Sequence, residues 1–338
     1  GWIGRKHAEV VVANEQCELV GVCDVNNEHA SFAIECSVPF STDLDTLLTE
    51  TQPDGAIIAV ANGFHGDVAE CCARHGVHVL IEKPVSDTLS EAQRIITAAD
   101  AAGIHVLVGH HRRHSPLIQD ARAVVRYGNL GKLLGVSMLW ALYKPRDYFD
   151  VDWRSKRPGG GPTFINLIHE LDSLRFICGE ITRVYAIGSS EARGLEVEDT
   201  LSITLSFESG AVGSILASDA SPAPWSYEAT TAENPHYFHA DENCYHFLGT
   251  EGSLAFPRME LWSYANSERG WQHPLKKHTF DIVLADPIAI QLQHFCEVIR
   301  NETPPLVDAR DGARTLAVAL AVIDSIESRQ PVDVGEIQ

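Results

Sequence analysis

Gly1-Trp2-Ile3-Gly4 (GWIG) opens this chain, and the acidic residue Asp24 follows Gly4 twenty residues later. Glycines at this spacing permit a tight turn and allow backbone N–H groups to approach a pyrophosphate at the start of a helix. A carboxylate at the position of Asp24 is suited to bind the hydroxyl groups of an adenosine ribose. The pattern therefore predicts a dinucleotide site that Gly1, Trp2, Ile3, Gly4 and Asp24 contribute to.

Short apolar runs alternate with helical patterns after this motif. Such alternation indicates βαβ units and a parallel sheet, with ligands bound at the carboxyl ends of the strands. The predicted strands are 18–23, 55–61, 77–81 and 104–108, and the predicted helices include 66–75 and 90–102. A Rossmann pattern also needs a strand and an earlier glycine before Gly1, so we expect that a short N-terminal segment is missing from this numbering.

The composition and charge of the chain narrow the class of protein. A length of 338 residues is enough for two domains with hydrophobic cores. The formal net charge of −20 argues against binding to nucleic acid, whose phosphates need a basic surface. No apolar run approaches the length of a membrane span and no signal peptide is visible, so we expect a cytoplasmic enzyme.

The spacing of cysteines and histidines bears on redox state and metal binding. The eight cysteines show no Cys-x-x-Cys spacing, which indicates reduced thiols in a reducing compartment. His110, His111 and His114 lie close in sequence, as do His236 and His239, but the cysteine or carboxylate spacing of a metal site is absent around them. We therefore predict no metal site.

The sequence pattern changes near His111, from alternating strand and helix patterns to successive β-rich segments, and this change predicts a domain boundary. From Gly135 onward, β-rich segments follow one another, and 208–210 (ESG) separates two of them in the manner of a hairpin loop. Strands in succession favour a largely antiparallel sheet, with a helix over 164–178 packed on one face. The predicted strands are 136–143, 184–188, 201–207, 211–218, 245–248 and 260–264.

These patterns together predict an α/β chain with two domains. We assign a Rossmann domain to 1–111 and an α+β domain with a large, open-faced, mostly antiparallel sheet to 112–286. Helical patterns over 287–300 and 309–328 lie in the segment 287–330, which we expect to pack back on the Rossmann domain.

Further short motifs resemble, in order and spacing, those of the Gfo/Idh/MocA group of NAD(P)-dependent oxidoreductases, which includes glucose-fructose oxidoreductase and inositol dehydrogenase. The resemblance runs nearly end to end and is carried by 62–65 (NGFH), 82–84 (EKP), Arg113 with Pro116, 128–132 (GNLGK), 159–161 (GGG), His169, 198–199 (ED), 209–210 (SG) and 249–252 (GTEG). It implies a Rossmann domain followed by an open-faced sheet domain that binds substrate and often mediates dimers or tetramers. The implied chemistry is hydride transfer between nicotinamide and a secondary alcohol of a sugar, polyol or related ring.

Lys83 is the first candidate for that chemistry. Oxidation of an alcohol needs a base for the hydroxyl proton and a cation or donor that stabilises the developing alkoxide. Lys83 follows a predicted strand and suits the second role, while Pro84 restricts the backbone after it. In the family, the glutamate that matches Glu82 contacts the nicotinamide ribose. The other predicted cofactor-binding residues are Val25, Ala61, Asn62, His65, Lys83 itself and His110.

His169 is the second catalytic candidate, because histidine titrates near neutrality and suits a general base. Apolar residues at 164, 167, 168, 171, 174 and 178 have helical spacing, which predicts that His169 lies off the buried stripe of its helix. Asn166 and Asp172 stand three residues before and after it, within side-chain reach on a helix. The resemblance implies a catalytic role for His169, and we count Asn166 and Asp172 with it.

One position departs from the family pattern. Many members carry an aspartate four residues before this histidine, and this chain has Ile165 there. Either Asn166 positions the substrate and His169 works without a carboxylate, or Asp172 polarises the imidazole from the other side. A carboxylate partner stabilises a charged imidazole, so its absence predicts a weaker base and a variant group of substrates.

The predicted substrate contacts are Trp153, Arg154, Asn166 and His169. Trp153 and Arg154 resemble a tryptophan–arginine pair that borders the sugar site in relatives, and an arginine can bind a carboxylate or hydroxyl groups. The alternative is a loop tryptophan packed on the core beside a solvated arginine. Nearby lie Lys144, Arg146 and Tyr148, which would suit a polar or acidic ring substrate.

Cofactor choice and alternative functions complete the predictions. Val25, Asn26 and Asn27 follow Asp24 without an arginine that could receive a 2′-phosphate, so we expect NAD in preference to NADP. Two alternatives to a sugar or polyol dehydrogenase are a dehydrogenase of a carboxylated cyclic diol and a catalytically silent NAD-binding sensor or regulator.

The expected partners are a small alcohol or sugar and further copies of the chain, in a homodimer or homotetramer through the open sheet. We expect no nucleic-acid or membrane partner.

Overall fold

The structure of this protein is a computed structural model that describes residues 1–335 and residue 337. The chain divides into two compact units. The first comprises Gly1–His111 and Pro287–Leu316, and the second comprises Arg112–Asp286 and 317–335.

The helices and strands are numbered in chain order. The helices are α1 (Trp2–Val12), α2 (Ala30–Glu35), α3 (Leu44–Thr51), α4 (His65–Arg74), α5 (Leu89–Ala102), α6 (Pro116–Arg126), α7 (Ile168–Cys178), α8 (Tyr227–Thr230), α9 (Pro287–Ile299) and α10 (Ala309–Ser328). The strands are β1 (Val22–Cys23), β2 (Phe40–Ser41), β3 (Gly55–Ile58), β4 (His78–Ile81), β5 (Val106–Val108), β6 (Leu133–Ala141), β7 (Ile181–Ser189), β8 (Thr200–Phe207), β9 (Val212–Ser218), β10 (Tyr245–Gly249), β11 (Gly252–Phe256), β12 (Glu260–Tyr264), β13 (Leu275–Thr279) and β14 (Val332–Asp333). Short 3₁₀ helices span Asn27–His29, Asn62–Phe64, His111–His114, Arg146–Asp150 and Asp152–Ser155.

Parallel strands form the sheets of the first unit. β4 lies between β3 and β5 and pairs with both, so that Ile58 faces Ile81 and Ile81 faces Val108. β1 pairs in parallel with β2. Val79 and Leu80 on β4 are fully buried, which is typical of a parallel strand that is covered on both faces. This arrangement brings the carboxyl ends of β3, β4 and β5 to one edge of the sheet.

A nine-stranded sheet forms the framework of the second unit. Its strand order is β13-β12-β11-β10-β6-β9-β8-β7-β14. β6 and β9 pair in parallel, and the other neighbours are antiparallel. The predicted fold class, a parallel α/β domain followed by an α+β domain with a large and mostly antiparallel sheet, is therefore confirmed.

One face of this sheet is buried and the other is open. On β8, Ile203 and Leu205 are fully buried, whereas the alternate residues Ser202 and Thr204 are exposed. β9 repeats the alternation, and its Leu216 is 54% exposed. Successive side chains of a strand point to opposite faces, so the buried residues pack on the core and the others form the open face.

Two of the motifs that carry the family resemblance form one structural corner in this unit. The backbone N–H of Glu251 donates to the oxygen of Leu130, and the backbone N–H of Lys132 donates to Oγ1 of Thr250. A Cβ at Gly249 would lie 2.2 Å from the oxygen of Leu130, so only glycine fits this close approach. The motifs at 128–132 and 249–252 therefore have a structural reason in this chain.

Among the residues that the structure describes, every helix is too short or too polar to cross a membrane.

Candidate active site

The start of α1 is the first part of the predicted cofactor site. Within residues 1–335, no side chain caps this end of α1, so its first N–H groups can bind an anion. Trp2 is exposed and Ile3 is half-buried. A Cβ at Gly4 would lie 3.4 Å from the Cβ of Ala59, so the first turn of α1 packs closely beside the loop that follows β3. The geometry fits a diphosphate, which the positive end of a helix attracts.

Asp24 lies directly after β1, at the position expected for a ribose-binding carboxylate. Its Oδ1 accepts a hydrogen bond from the backbone N–H of Asn26 at 2.9 Å, and its Oδ2 lies 2.7 Å from Nδ1 of His29. Burial raises the pKa of Asp24, but the bonds from Asn26 and His29 outweigh burial and hold the pKa below its ordinary value. The carboxylate is thus ionised and oriented, beside a Val25 side chain that is 89% exposed.

His65 connects the loops that follow β3 and β4. Its ring is fully buried, with Nδ1 3.0 Å from the oxygen of Pro84 and Nε2 3.2 Å from the oxygen of Val60. Burial lowers the pKa of His65. Ala61 is exposed and Asn62 is half-buried on the same loop. His65 therefore supports these two loops from inside the first unit.

Glu82 follows β4 and is buried. Its Oε1 lies 2.7 Å from Nε2 of His7 on α1, and its Oε2 accepts a hydrogen bond from the backbone N–H of Lys83 at 3.2 Å. Burial raises the pKa of Glu82, but His7, together with nearby His111 and Lys83, outweighs burial and holds the pKa below its ordinary value. His7 could not be found from the sequence, because a histidine on a helix gives no signal for a partner that stands 75 residues away.

The neighbouring residues lie at the ends of adjacent strands. Lys83 is half-buried and is joined to Pro84 by a cis peptide bond. His110 is buried just after β5. Between them, a Cβ at Gly109 would lie 3.0 Å from the Cα of Glu82, so the two strand ends touch through their backbones. The first unit thus brings together the predicted residues Glu82, Lys83 and His110.

In the second unit, the segment that carries His169 begins with a wide turn. Thr163–Leu167 form a π-helical turn that continues into α7, and turns of this kind are frequent at functional sites. Every residue from Ile168 to Cys178 is buried, and His169 is 8% exposed. The prediction that His169 lies off a buried stripe is therefore wrong, because α7 is covered on all sides and has no solvent face.

Asn166 lies on the π-helical turn and contacts a buried lysine. Nζ of Lys144 donates to Oδ1 of Asn166 at 2.7 Å and lies 3.3 Å from Oδ2 of Asp219. The ammonium also lies 4.9 Å from the centre of the Tyr148 ring. Burial lowers the pKa of Lys144, while Asp219 opposes that shift. The structure thus makes Lys144 a direct partner of Asn166, whereas Arg146 is exposed.

Asp172 forms a bidentate ion pair with Arg113. Nε of Arg113 donates to Oδ2 of Asp172 at 2.9 Å, and Nη2 donates to Oδ1 at 2.7 Å. The exposed fractions of the two side chains are 6% and 1%. Two parallel hydrogen bonds fix the orientation of such a carboxylate. The pair gives Arg113, one of the residues that carry the family resemblance, a structural role.

Trp153 and Arg154 lie on a short 3₁₀ helix. The side chain of Trp153 is exposed rather than packed on the core. The guanidinium of Arg154 lies 4.2 Å from the centre of the Tyr148 ring, and its Nη1 donates to the oxygen of Tyr148 at 3.0 Å. Among the residues that the structure describes, Nε of Arg154 is buried without a hydrogen-bond partner. Arg154 is therefore held against an aromatic ring and is not a freely solvated side chain.

The glycine run before the helix allows close backbone contacts. A Cβ at Gly160 would lie 2.4 Å from the oxygen of Lys156 and 2.5 Å from the oxygen of Trp153. Gly161 has a φ of +81°, which side chains rarely adopt. Next to it, Oγ1 of Thr163 donates to Oε1 of Glu198 at 2.5 Å. The run lets the loop of Trp153 fold against the start of the π-helical turn.

A buried polar network surrounds Glu170, the residue after His169, and no pattern in the sequence predicts it. Nη1 of Arg112 donates to Glu170 at 2.7 Å, and Nη2 of the same guanidinium donates to Glu228 at 2.8 Å. The hydroxyl group of Tyr245 also donates to Glu170. Burial raises the pKa of Glu170 to about 7; Arg112 opposes the shift and Glu228 adds to it.

Three side chains on the first unit could share a metal ion. Asp45, Cys71 and His75 place one ligand atom each within 4.8 Å of one another. Oδ1 of Asp45 lies 2.9 Å from Nε2 of His75, so these two groups already pair. They are not the histidine groups that the sequence singled out.

Comparison with known proteins identifies the family. The Gfo/Idh/MocA domain described as "Oxidoreductase family, NAD-binding Rossmann fold" matches residues 1–110. The description "Oxidoreductase family, C-terminal alpha/beta domain" matches residues 122–334. The chain belongs to the Gfo/Idh/MocA oxidoreductase family. The predicted family, the NAD-binding Rossmann domain and the class of NAD(P)-dependent oxidoreductase are thereby confirmed.

Two curated relatives match this family member along nearly their whole length. A 1,5-anhydro-D-fructose reductase of Ensifer adhaerens is 26% identical, over 94% of this chain and 91% of the relative. A scyllo-inositol 2-dehydrogenase (NAD(+)) of Bacillus subtilis is 27% identical, over 98% of this chain and 93% of the relative. These relatives support the prediction of a sugar or polyol oxidoreductase. They do not support the two alternatives, a carboxylated cyclic diol as substrate or a catalytically silent sensor.

A solved structure shows the same fold. The WlbA dehydrogenase of Bordetella pertussis, in complex with NADH and UDP-GlcNAcA, has a TM-score of 0.80 and 23% identity, with 99% of this chain and 96% of that chain covered.

Proposed function

We propose that this protein is an NAD-dependent dehydrogenase that acts on a secondary alcohol of a sugar or an inositol-like polyol. The observation that carries the proposal is the nearly full-length similarity to a sugar reductase and to an inositol dehydrogenase. The geometry of the first unit agrees with it, because an uncapped helix start and an ordered carboxylate stand where a dinucleotide needs them.

The first unit supplies the groups that would hold NAD. The N–H groups at Gly1–Gly4 would bind the diphosphate, and Asp24 would bind the adenosine ribose. The strand-end residues Ala61, Asn62 and His110 would complete the site, and the buried side chains of His65 and Glu82 would hold its loops in place. Bound NAD supplies the hydride acceptor. NAD is preferred over NADP because Asp24 is ionised and would repel a 2′-phosphate.

Lys83 and His169 are the proposed catalytic residues. His169 would take the hydroxyl proton of the substrate as the alcohol becomes a carbonyl, an oxidation for which bound NAD would supply the hydride acceptor. Lys83 donates a hydrogen bond to the substrate oxygen and stabilises the negative charge that develops on it. The reverse reaction uses the same groups in the opposite order.

Asn166 is the more suitable partner for substrate than Asp172. Asp172 is fixed by two hydrogen bonds from Arg113, whereas Asn166 is oriented by Lys144 through its oxygen and keeps its amide N–H groups for a substrate hydroxyl. We therefore assign Asn166 to substrate positioning and Asp172 to the support of α7. Trp153 and Arg154 are proposed to border the sugar.

The cysteines bear on the cell compartment, and the open sheet face bears on the assembly state. All eight cysteines carry free thiols, which suits a protein that works in the cytoplasm. The open face of the nine-stranded sheet carries exposed apolar side chains, among them Ile187 and Leu216. We propose that this face joins two copies of the chain into a homodimer or builds a homotetramer.

The test is a screen of the purified protein with NAD or NADH against sugars, inositols and their ketones, read as the change in NADH absorbance. We expect turnover on at least one compound, and we expect His169→Ala to lower kcat about a hundredfold or more, which is typical of the loss of a general base. His236→Ala, at an exposed loop histidine, is the matched control. Tight binding of NADH without turnover on any alcohol or ketone would contradict the proposal, as would full activity of the His169 variant.

A further inference from the structure

His7 and Glu82 form a buried pair between the helix that starts at the dinucleotide motif and the Glu-Lys-Pro loop. His7 lies in α1, and Glu82 follows β4. Nε2 of His7 and Oε1 of Glu82 are 2.7 Å apart, and the exposed fractions of the two side chains are 3% and 11%. Both residues belong to the first unit.

We propose that His7 is a positioning residue that fixes the Glu82 carboxylate and, through it, the backbone of Lys83. The proposal rests on the proposed function, because Lys83 is a catalytic residue only in that scheme.

Glu82 places a carboxylate inside the protein. An ionised carboxylate inside a protein is strongly disfavoured unless it is paired and hydrogen-bonded. His7 supplies that partner, and nearby His111 and Lys83 also favour the ionised form of Glu82. Without His7, Glu82 would have to take up a proton or move toward water. Either change would disturb the loop that carries Lys83.

The two oxygens of Glu82 connect His7 to Lys83. Oε1 pairs with His7, and Oε2 accepts from the backbone N–H of Lys83 at 3.2 Å. Gly109 packs against the Cα of Glu82, so the backbone of Glu82 has little room to move toward β5. Because both oxygens are engaged inside the protein, we infer that this carboxylate mainly holds the loop of Lys83 in place. A loss of His7 should therefore lower kcat more than it weakens the binding of NADH.

The experiment compares the full-length wild type with His7→Leu, His7→Asn and His7→Gln. Gln places an N–H group about where Nε2 of His7 lies, whereas the donor of Asn is too short to reach Glu82. Glu9→Gln, at an exposed position of the same helix, is the control. The readouts are kcat, the Kd of NADH by fluorescence and the ¹³C-methyl NMR resonance of reductively methylated Lys83, assigned by its absence in Lys83→Arg.

We expect His7→Leu and His7→Asn to move the Lys83 resonance, to lower kcat about tenfold or more and to leave the Kd of NADH within about threefold, because small displacements of a catalytic group are costly. His7→Gln should restore the resonance and most of kcat. If the wild type turns over no alcohol or ketone, the proposed function fails, and the Lys83 resonance alone decides the inference. If His7→Leu does not fold, His7→Asn and His7→Gln decide it. An unchanged resonance in His7→Asn, or a loss confined to the Kd of NADH, overturns it.

Discussion

Asp172 offers a sharp test among the single residues, because its two candidate roles predict opposite results. Breaking a buried ion pair by removing one partner typically costs about 3–5 kcal/mol. We therefore expect Asp172→Asn to lower the free energy of unfolding in urea by about this amount, while the folded variant keeps kcat within about threefold. Asp152→Asn is the control, since Asp152 pairs with Lys156 at the surface, where an ion pair contributes at most about 1 kcal/mol. A stable but inactive Asp172→Asn would show that Asp172 serves His169.

Glu170 gives a prediction about pH. The pKa of its carboxyl is raised to about 7 in the folded protein by burial, from an unperturbed value of 4.5. A raised pKa means that the protonated form contributes stability below about pH 4.5, and that this contribution is lost as the pH rises through about 7. The difference corresponds to about 3 kcal/mol.

Glutamine at position 170 imitates the protonated carboxyl and does not titrate. We expect the free energy of unfolding of Glu170→Gln to exceed that of the wild type by an amount that grows by about 2.5 kcal/mol between pH 5 and pH 8. Urea unfolding of both proteins at several pH values measures this difference. A difference that does not change with pH would mean that Arg112 keeps Glu170 ionised throughout.

At the scale of elements, two turns contain a glycine for different reasons. A Cβ at Gly249 would lie 2.2 Å from the oxygen of Leu130, whereas Gly210, in the turn between β8 and β9, has a φ of +84° and no atom within 4 Å of its added Cβ among the described residues. We expect Gly249→Ala to cost about 2–3 kcal/mol or more, because the backbone must shift. Gly210→Ala should cost only about 1–2 kcal/mol of backbone strain. Thermal unfolding of the two variants checks the order, and equal losses would refute the steric argument.

The elements that could be predicted are those with a regular apolar pattern. β12 (Glu260–Tyr264) and α10 (Ala309–Ser328) have the bounds that the sequence predicts. β2 is two residues long and leaves no periodicity to detect. β13 has the sequence LKKHT and is exposed throughout, so it shows no alternation of apolar and polar residues. β2 and β13 could not be predicted because neither strand has a regular buried face that would leave a pattern in the sequence.

The residues of the candidate site also fall into two groups, those that the sequence predicts and those that it does not. The glycine turn, Asp24 and the Glu-Lys-Pro loop could be located because their spacing along the chain reflects backbone geometry. Their charge partners could not, since His7 stands 75 residues from Glu82 and Arg113 stands 59 residues from Asp172. Tertiary folding alone brings such pairs together. The burial of α7 on all sides likewise depends on its neighbours and not on its own pattern.

For the whole molecule, the open sheet face makes the assembly state testable. Cross-strand pairing aligns Ile187, Ser202, Leu216 and Leu139 in one row over β7, β8, β9 and β6. The exposed fractions of Ile187 and Leu216 are 61% and 54%. Three of the four side chains in this row are apolar, and exposed apolar side chains grouped in this way are typical of a surface that a partner covers.

A charge in the middle of this row should separate the copies, because an unpaired charge is costly in an apolar interface. We expect the wild type to have a solution mass of at least twice the 37.0 kDa of one chain, and Leu216→Lys to shift that mass toward a single chain. Light scattering during size-exclusion chromatography measures both. Trp271→Lys is the control, since Trp271 is fully exposed on a loop away from the row. Because the backbone of β9 keeps its hydrogen bonds in Leu216→Lys, the variant should remain folded. A wild type that runs as a monomer, or a Leu216→Lys protein that keeps the full mass, would exclude this face as the interface.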